Sequence, residues 1–439
     1  MHFLTRLAAV VIVSLIGQAA AHPVLTVTPG GAGDLVPTSN TTVNATAPAP
    51  ESSSSPSGGQ LQLSLVNNFG NGNINAYVTG LDASGQLVLL QPDGSWYYPS
   101  ADGATTPQAI TANVAIALKP EGQTTELTLP SYISSGRVWF AAGSLQFFVV
   151  AGPTGGPSLV EPSSVNPSDP SAAIDWGFVE LTYTEDGGLY ANISYVDFVG
   201  LPLGMSLTGS YGTQTAMGVR ATAIASICND LATQSKQDGQ PWGDLCIQDS
   251  SGKPLRVIAP GDYISVNSDA FSGYFDDYIE QVWWQYASEP LCINTQAAAG
   301  DVNCTVSGDT LNCDGDNRGY SKPTASDIFG CNSGPFAIEA GDNNVHQAVV
   351  PRLCAAFDRT TLLLGGGNTQ PSLGSTSYYT CEPTNWYSAI VHKYEIDGKG
   401  YAFAYDDVNP DGDTNQSGVV SDPEPDVLTI TIGGPVYSD

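Results

Sequence analysis

The side chains best suited to chemistry gather in one predicted hairpin, from Asp175 to Phe198, whose first strand reads Trp176-Gly-Phe178-Val-Glu180-Leu-Thr182. Successive strand side chains point to opposite faces, so Trp176, Phe178, Glu180 and Thr182 share one side. A two-residue turn at Gly187-Gly188 pairs Glu180 with Tyr195 and makes Asp197 its diagonal neighbour on the same face, with Cβ atoms roughly 7 to 8 Å apart. Such a pair suits inverting cleavage of a glycosidic bond, in which carboxyls roughly 6.5 to 9.5 Å apart protonate the leaving oxygen and activate a water. Trp176 and Tyr195 add flat apolar plates for a sugar ring, and Thr182 adds a hydroxyl. A one-residue change in the turn sends Asp197 to the other face. The contrary reading makes Trp176 and Phe178 core, and Glu180 and Asp197 two of 43 acidic residues.

Other constellations are weaker. Asp406 and Asp407 close an alternating run from Tyr401, and either enter the acidic cleft or are solvated or structural; Trp386 and Tyr387 form a second sugar platform or pack in the core. Asp407-x-Asn409-x-Asp411-Gly412 begins like a calcium loop, but Pro410 interrupts it and Gly418 stands where the loop needs Glu. The eight cysteines have no Cys-x-x-Cys spacing, and only His346 and His392 lie in the folded region, which argues against zinc. A Ser-His-Asp triad lacks its Gly-x-Ser-x-Gly elbow. His22, a possible N-terminal copper ligand, stands before a stretch expected to be flexible, which speaks against a rigid metal site. No metal or cofactor is expected.

These residues need elements to position them, and composition says which. The chain has 439 residues with 13 basic and 43 acidic side chains, a formal charge of −30. That excludes the basic footprint of nucleic-acid or anionic-membrane binding. Only 13% of residues are charged, and 48 Gly with 30 Pro replace the helix formers that a bundle needs, so a mainly β chain is expected. Period-two runs predict strands from Leu61, at 75–79, 87–90, 125–129, 137–141 and 145–150, and again at 388–396, 401–405 and 427–432. Helical spacing appears at 213–234 and 272–286.

His2 and Arg6, the apolar run Leu7 to Ile16, and small Ala19 and Ala21 form a secretory leader over residues 1–21, and no later run is long and apolar enough to span a membrane. Residues 22–58, rich in Pro, Ser and Thr, read as a flexible linker. The cysteines, from Cys228 to Cys381, predict four disulfides in an oxidising compartment. Asn40, Asn44, Asn192, Asn303 and Asn415 open glycosylation sequons.

Leu63-Ser-Leu-Val-Asn-Asn68, Ser135-Gly-Arg-Val-Trp-Phe140, the 176–202 hairpin with Asn192-Ile-Ser-Tyr-Val-Asp197, Tyr274-Phe-Asp-Asp-Tyr-Ile279, and Asn385-Trp-Tyr-Ser388 leading to Tyr401-Ala-Phe-Ala-Tyr-Asp-Asp407 resemble glycoside hydrolase family 64, the thaumatin-like β-1,3-glucanases. The resemblance runs in order through residues 60–435. It implies a mainly β, thaumatin-like barrel or sandwich (59–210 and 375–437) with an inserted disulfide-tied mixed α/β domain (211–374), and a wide acidic cleft between them. It also implies a secreted, endo-acting, inverting enzyme on β-1,3-glucan, with Glu180 as general acid and Asp197 as general base. Substrate contacts are expected from Trp176, Thr182, Tyr195, Trp386 and Asp406, in a chain working as a monomer. A thaumatin-like wall protein that binds glucan without cutting it is the competing expectation.

Overall fold

A computed structural model describes residues 25–35, 41–45, 59–70, 72–153 and 155–434. The predicted leader, His22 and the sequon at Asn40 lie outside the described residues. The chain is mainly β, and two sheets dominate it. The larger orders its strands Val420–Asp422, Gly188–Ile193, Trp176–Thr184, Ile133–Ala142, Ile74–Asp82, Leu87–Leu90 and Trp96–Tyr97, with Ile116–Ala117 alongside. The second orders Gly212–Ala216, Leu203–Gly209, Pro425–Ile432, Leu61–Asn67 and Gln123–Leu129. Leu61, Leu63 and Leu65 alternate with half-exposed polar residues, and Leu428, Ile430 and Ile432 do the same on the parallel partner strand. They join Val138, Phe140, Val179, Leu181 and Ile193 of the larger sheet in one core.

Residues 211–374 carry most of the helices, including Ala223–Asp238, Asp276–Tyr286 and Asn344–Asp358. Asp276, Asp277 and Glu280 face water, as a helix with Tyr278, Ile279, Val282 and Trp283 buried requires. No helix among the described residues is long and apolar enough to cross a membrane.

Four expectations are corrected. Cys228–Cys246, Cys304–Cys313 and Cys331–Cys354 are bonded, while Cys292 and Cys381 are free thiols, so three disulfides form instead of four. Ser388–Ile396 is not a strand: Trp386–Tyr394 is a helix, capped by the Asn385 side chain accepting from the Ser388 N–H. Tyr401–Tyr405 makes a single bridge at Tyr401 and then turns. Part of the supposed linker is ordered, since Thr42–Asn44 pairs antiparallel with Pro157–Val160 and buries Ala45.

The hairpin register also differs. Thr184 pairs with Gly188 and Glu180 with Asn192, three positions from the expected Tyr195. The reason is a three-residue turn: the Thr184 hydroxyl accepts the Gly187 N–H at 3.2 Å, and Gly188 closes the loop in the left-handed region at φ 68°. A Cβ on Gly188 would meet the Asp422 carbonyl at 2.4 Å. Gly188→Ala should therefore destabilise the fold by about 1–3 kcal/mol, read as a lower denaturant midpoint at unchanged slope. An unchanged midpoint would contradict this account of the turn.

Candidate active site

Strand parity places the first row of groups. Trp176, Phe178, Glu180 and Thr182 do share a face, and the neighbouring strands add Arg137 opposite Glu180, Trp139 opposite Phe178, and Asn192 and Tyr190 opposite Glu180 and Thr182. Arg137 lies at the centre. Its Nη2 and Nε donate to Glu180 Oε1 at 3.0 and 3.2 Å, and Nη1 donates to Glu161 Oε2 at 2.6 Å. The guanidinium sits 4.5 Å from the Phe178 ring centroid, so the ring supports the cation from the dry side. Asn192 Nδ2 contacts Glu180 Oε2 at 3.4 Å. A glycan on the Asn192 sequon would occupy this groove.

Asp197 arrives by another route. The regular strand ends at Ile193, Ser194 bridges to Tyr401, and the chain bends through Val196 and Asp197. The Asp197 carbonyl accepts the Ala259 N–H at 2.7 Å. Its side chain lines a cavity of about 360 Å³ with Arg137, Trp176 and Phe178, while Glu180 lines one of about 380 Å³ with Arg137, Thr182, Tyr190 and Asn192. Burial pushes the Asp197 carboxyl up to about 6, with the Glu180 charge adding to the rise and Arg137 opposing it. Burial likewise raises Glu161, against the pull of Arg137. Among three carboxylates Arg137 itself is held firmly charged: burial disfavours its charge, but Glu161, Glu180 and Asp197 together outweigh it.

The other expected site residues fall in different places. Thr182 lines the Glu180 cavity. Trp176 is buried but lines the Asp197 cavity, and its indole nitrogen has no hydrogen-bond partner. Tyr195 is buried away from the groove, its hydroxyl accepting the Val219 N–H at 3.1 Å and its carbonyl accepting the Tyr387 hydroxyl at 2.6 Å. Tyr387 is therefore core. Trp386 lines a separate depression with Asp230 and Lys393. Asp406 is fully buried; its carboxylate accepts from Arg359 Nη2 at 2.8 Å and the Ala402 N–H at 2.9 Å, and lies 3.0 Å from His392 Nε2. Burial works to raise it, but His392 and Arg359 outweigh that and hold it low. No group of three or more His, Cys, Asp or Glu that could hold a metal occurs among the described residues.

Arg137, Glu161 and Tyr190 carry no sequence signal that marks them as site residues, and Asn192 stands out in the sequence only as the start of a glycosylation sequon and of a family-like motif. Tyr190, 54% exposed, lines the Glu180 cavity, where the buried Tyr195 does not reach.

The family model described as β-1,3-glucanase, glycoside hydrolase family 64, matches residues 59–432. The chain belongs to that family. Two curated relatives, each named glucan endo-1,3-beta-glucosidase, come from Arthrobacter sp. (strain YCWD3) and Cellulosimicrobium cellulans. They are 29% and 28% identical over 357 residues, covering 79% of this chain and 61% of theirs, so the chain spans about three fifths of their length. A crystal structure of a laminaripentaose-producing beta-1,3-glucanase with laminaritetraose is 28% identical at a TM-score of 0.73, covering 86% of this chain and 99% of that one. A family 64 domain from Clostridium beijerinckii shares the fold, with a TM-score of 0.64 at 22% identity, covering 88% of this chain and all of that one.

Glu161 is the test of how this family 64 site is held. Its side chain is 2% exposed, so Arg137→Leu strands a buried carboxylate and should cost about 3–5 kcal/mol at pH 7. A carboxyl whose folded-state pKa is raised weakens the fold as pH rises above the ordinary carboxylate range, because the native state must give up a proton it holds more tightly. The penalty should therefore shrink between pH 7 and pH 4, measured by denaturant titration at both. An equal penalty at the two pH values would mean that Glu161 is not the group left stranded.

Proposed function

We propose that this chain is a secreted endo-β-1,3-glucanase that cuts laminarin and cell-wall glucan to short oligosaccharides with inversion, as a monomer and without metal or cofactor. The observation that carries the proposal is the pair Glu180 and Asp197 in adjoining cavities on either side of Arg137. The names of the two relatives and of the laminaritetraose complex support the substrate class. The resemblance's thaumatin-like architecture and wide acidic cleft belong to the same reading. Export is supported by the leader-like residues 1–21 and by three disulfides.

In this mechanism Glu180 protonates the leaving oxygen and Asp197 activates the water. Arg137 keeps Glu161 as its own anchor, so it can release Glu180 to a sugar hydroxyl without losing its counter-charge. A second reading exchanges the roles, and the raised Asp197 carboxyl favours it.

One pH profile separates the two. With Asp197 as base, kcat/KM on laminarin rises as pH climbs through about 6 and the group ionises. With Asp197 as acid, kcat/KM falls through the same range. Glu180→Gln and Asp197→Asn should each lower kcat by about a hundredfold or more, consistent with general acid–base catalysis. An NMR time course should show the α-anomer first. First-formed β-anomer would exclude inversion, and intact laminarin with retained binding to insoluble glucan would favour the non-catalytic wall protein.

A further inference from the structure

The groove has a wall that the family match does not include. That match begins at residue 59, whereas Thr41 and Val43 reach the two cavities from a strand upstream of it. Thr42, Val43 and Asn44 pair with Val160, Leu159 and Ser158, which sets this strand at a sheet edge beside Glu161. Alternation puts Thr41 and Val43 on one side of it. Thr41 lines the Asp197 cavity and Val43 the Glu180 cavity, and Arg137 is the residue common to both. Both side chains are half-buried, and both cavities remain open, so the strand bounds the groove without plugging it.

The same segment is tied to the charged centre. The Thr41 carbonyl accepts the Glu161 N–H at 2.9 Å, and Glu161 holds Arg137. Further upstream, Thr28 and Gly30 donate backbone N–H groups to Pro167 and Ser168 at 2.8 and 3.0 Å, and Asn166 Nδ2 donates to the Asp34 carbonyl at 2.8 Å. These contacts pin a loop whose Asn166 and Pro167 line the Asp197 cavity.

We infer that Thr41 and Val43 are specificity-determining residues that touch the glucan chain on either side of Arg137. Val43 offers an apolar surface to the C–H face of a glucosyl ring, and Thr41 bounds the neighbouring cavity. This rests on the glucanase reading above. It gives the substrate a contact from a segment outside the family region, added as an edge strand to the catalytic body.

Full-length Val43→Trp and Thr41→Trp, each narrowing one cavity, should raise KM for laminarin by about tenfold, with kcat within about threefold of wild type, as loss of binding shared by ground and transition states requires. Thermal midpoints should stay within about 2 °C of wild type. Val43→Ala, which introduces no clash, should raise KM by about fivefold through lost apolar contact. A KM unmoved in all three variants overturns the inference, as does a fall in kcat and thermal midpoint together with the rise in KM, which would mark a structural strand. Wild-type protein that leaves laminarin intact removes the glucanase reading and the wall with it, whereas active wild type with unmoved KM removes the wall alone.

Discussion

One guanidinium decides what this groove can be. Three carboxylates from three parts of the chain, Glu161, Glu180 and Asp197, converge on Arg137 in a protein carrying 43 acidic and 13 basic residues. Buried acids at this density repel one another and lose hydration, so without a fixed cation they would protonate or separate. Arg137 meets that requirement because its fork has donors for two acids at once. Its position follows from strand pairing: it stands opposite Glu180 on one neighbour and opposite Thr79 on the other, with Phe178 beneath the cation. Thr79 in turn accepts the Trp139 indole N–H at 3.0 Å, so the row next to the charges is fixed as well.

The face of the first hairpin strand was legible because period-two alternation needs no tertiary information. Its register was not. Glu185-Asp-Gly-Gly188 permits a two-residue or a three-residue turn, and the choice is made by the Thr184 hydroxyl and by the close approach of Asp422 to Gly188. The observed register differs by an odd number of positions, so an unbroken second strand would turn Asp197 toward the core. Asp197 reaches the groove because the strand stops at Ile193 and the chain bends. The expected pair of acids thus shares Arg137 by a path different from the one strand parity supplied.

The misplaced residues have physical reasons too. Alternation at Tyr401–Tyr405 resembles a strand, yet Asp406 caps a turn, accepting the Ala402 N–H, and sits between Arg359 and His392. It is an acid in a closed ion network, and its cationic partners Arg359 and His392, 47 and 14 positions away in sequence, are invisible to local pattern. The 386–394 helix did leave a signal: Asn385 as cap, then buried Tyr387, Ile390 and Val391 at helical spacing. Its aliphatic and aromatic content was what suggested a strand. Arg137 left a fainter one, a lone cation within an apolar strand of an acidic chain. A buried arginine needs an acid, and that is a reason to search for Glu161.

The two cavities differ in a way that fits division of labour. On the Asp197 side, Trp139, Trp176, Phe178 and Phe198 surround the acid with rings, with Trp176 and Phe198 centroids 4.4 Å apart. Such walls strip water and raise a carboxyl. On the Glu180 side, Thr182, Asn192 and exposed Tyr190 leave the acid one-third open to solvent. That cavity presents hydroxyls, an amide and a single ring. The asymmetry arises because the bend at Val196 and Asp197 pulls the second acid off the sheet and over its aromatic row, while Glu180 stays in register among polar neighbours. Two similar carboxyls acquire different surroundings because only one of them remains on the strand.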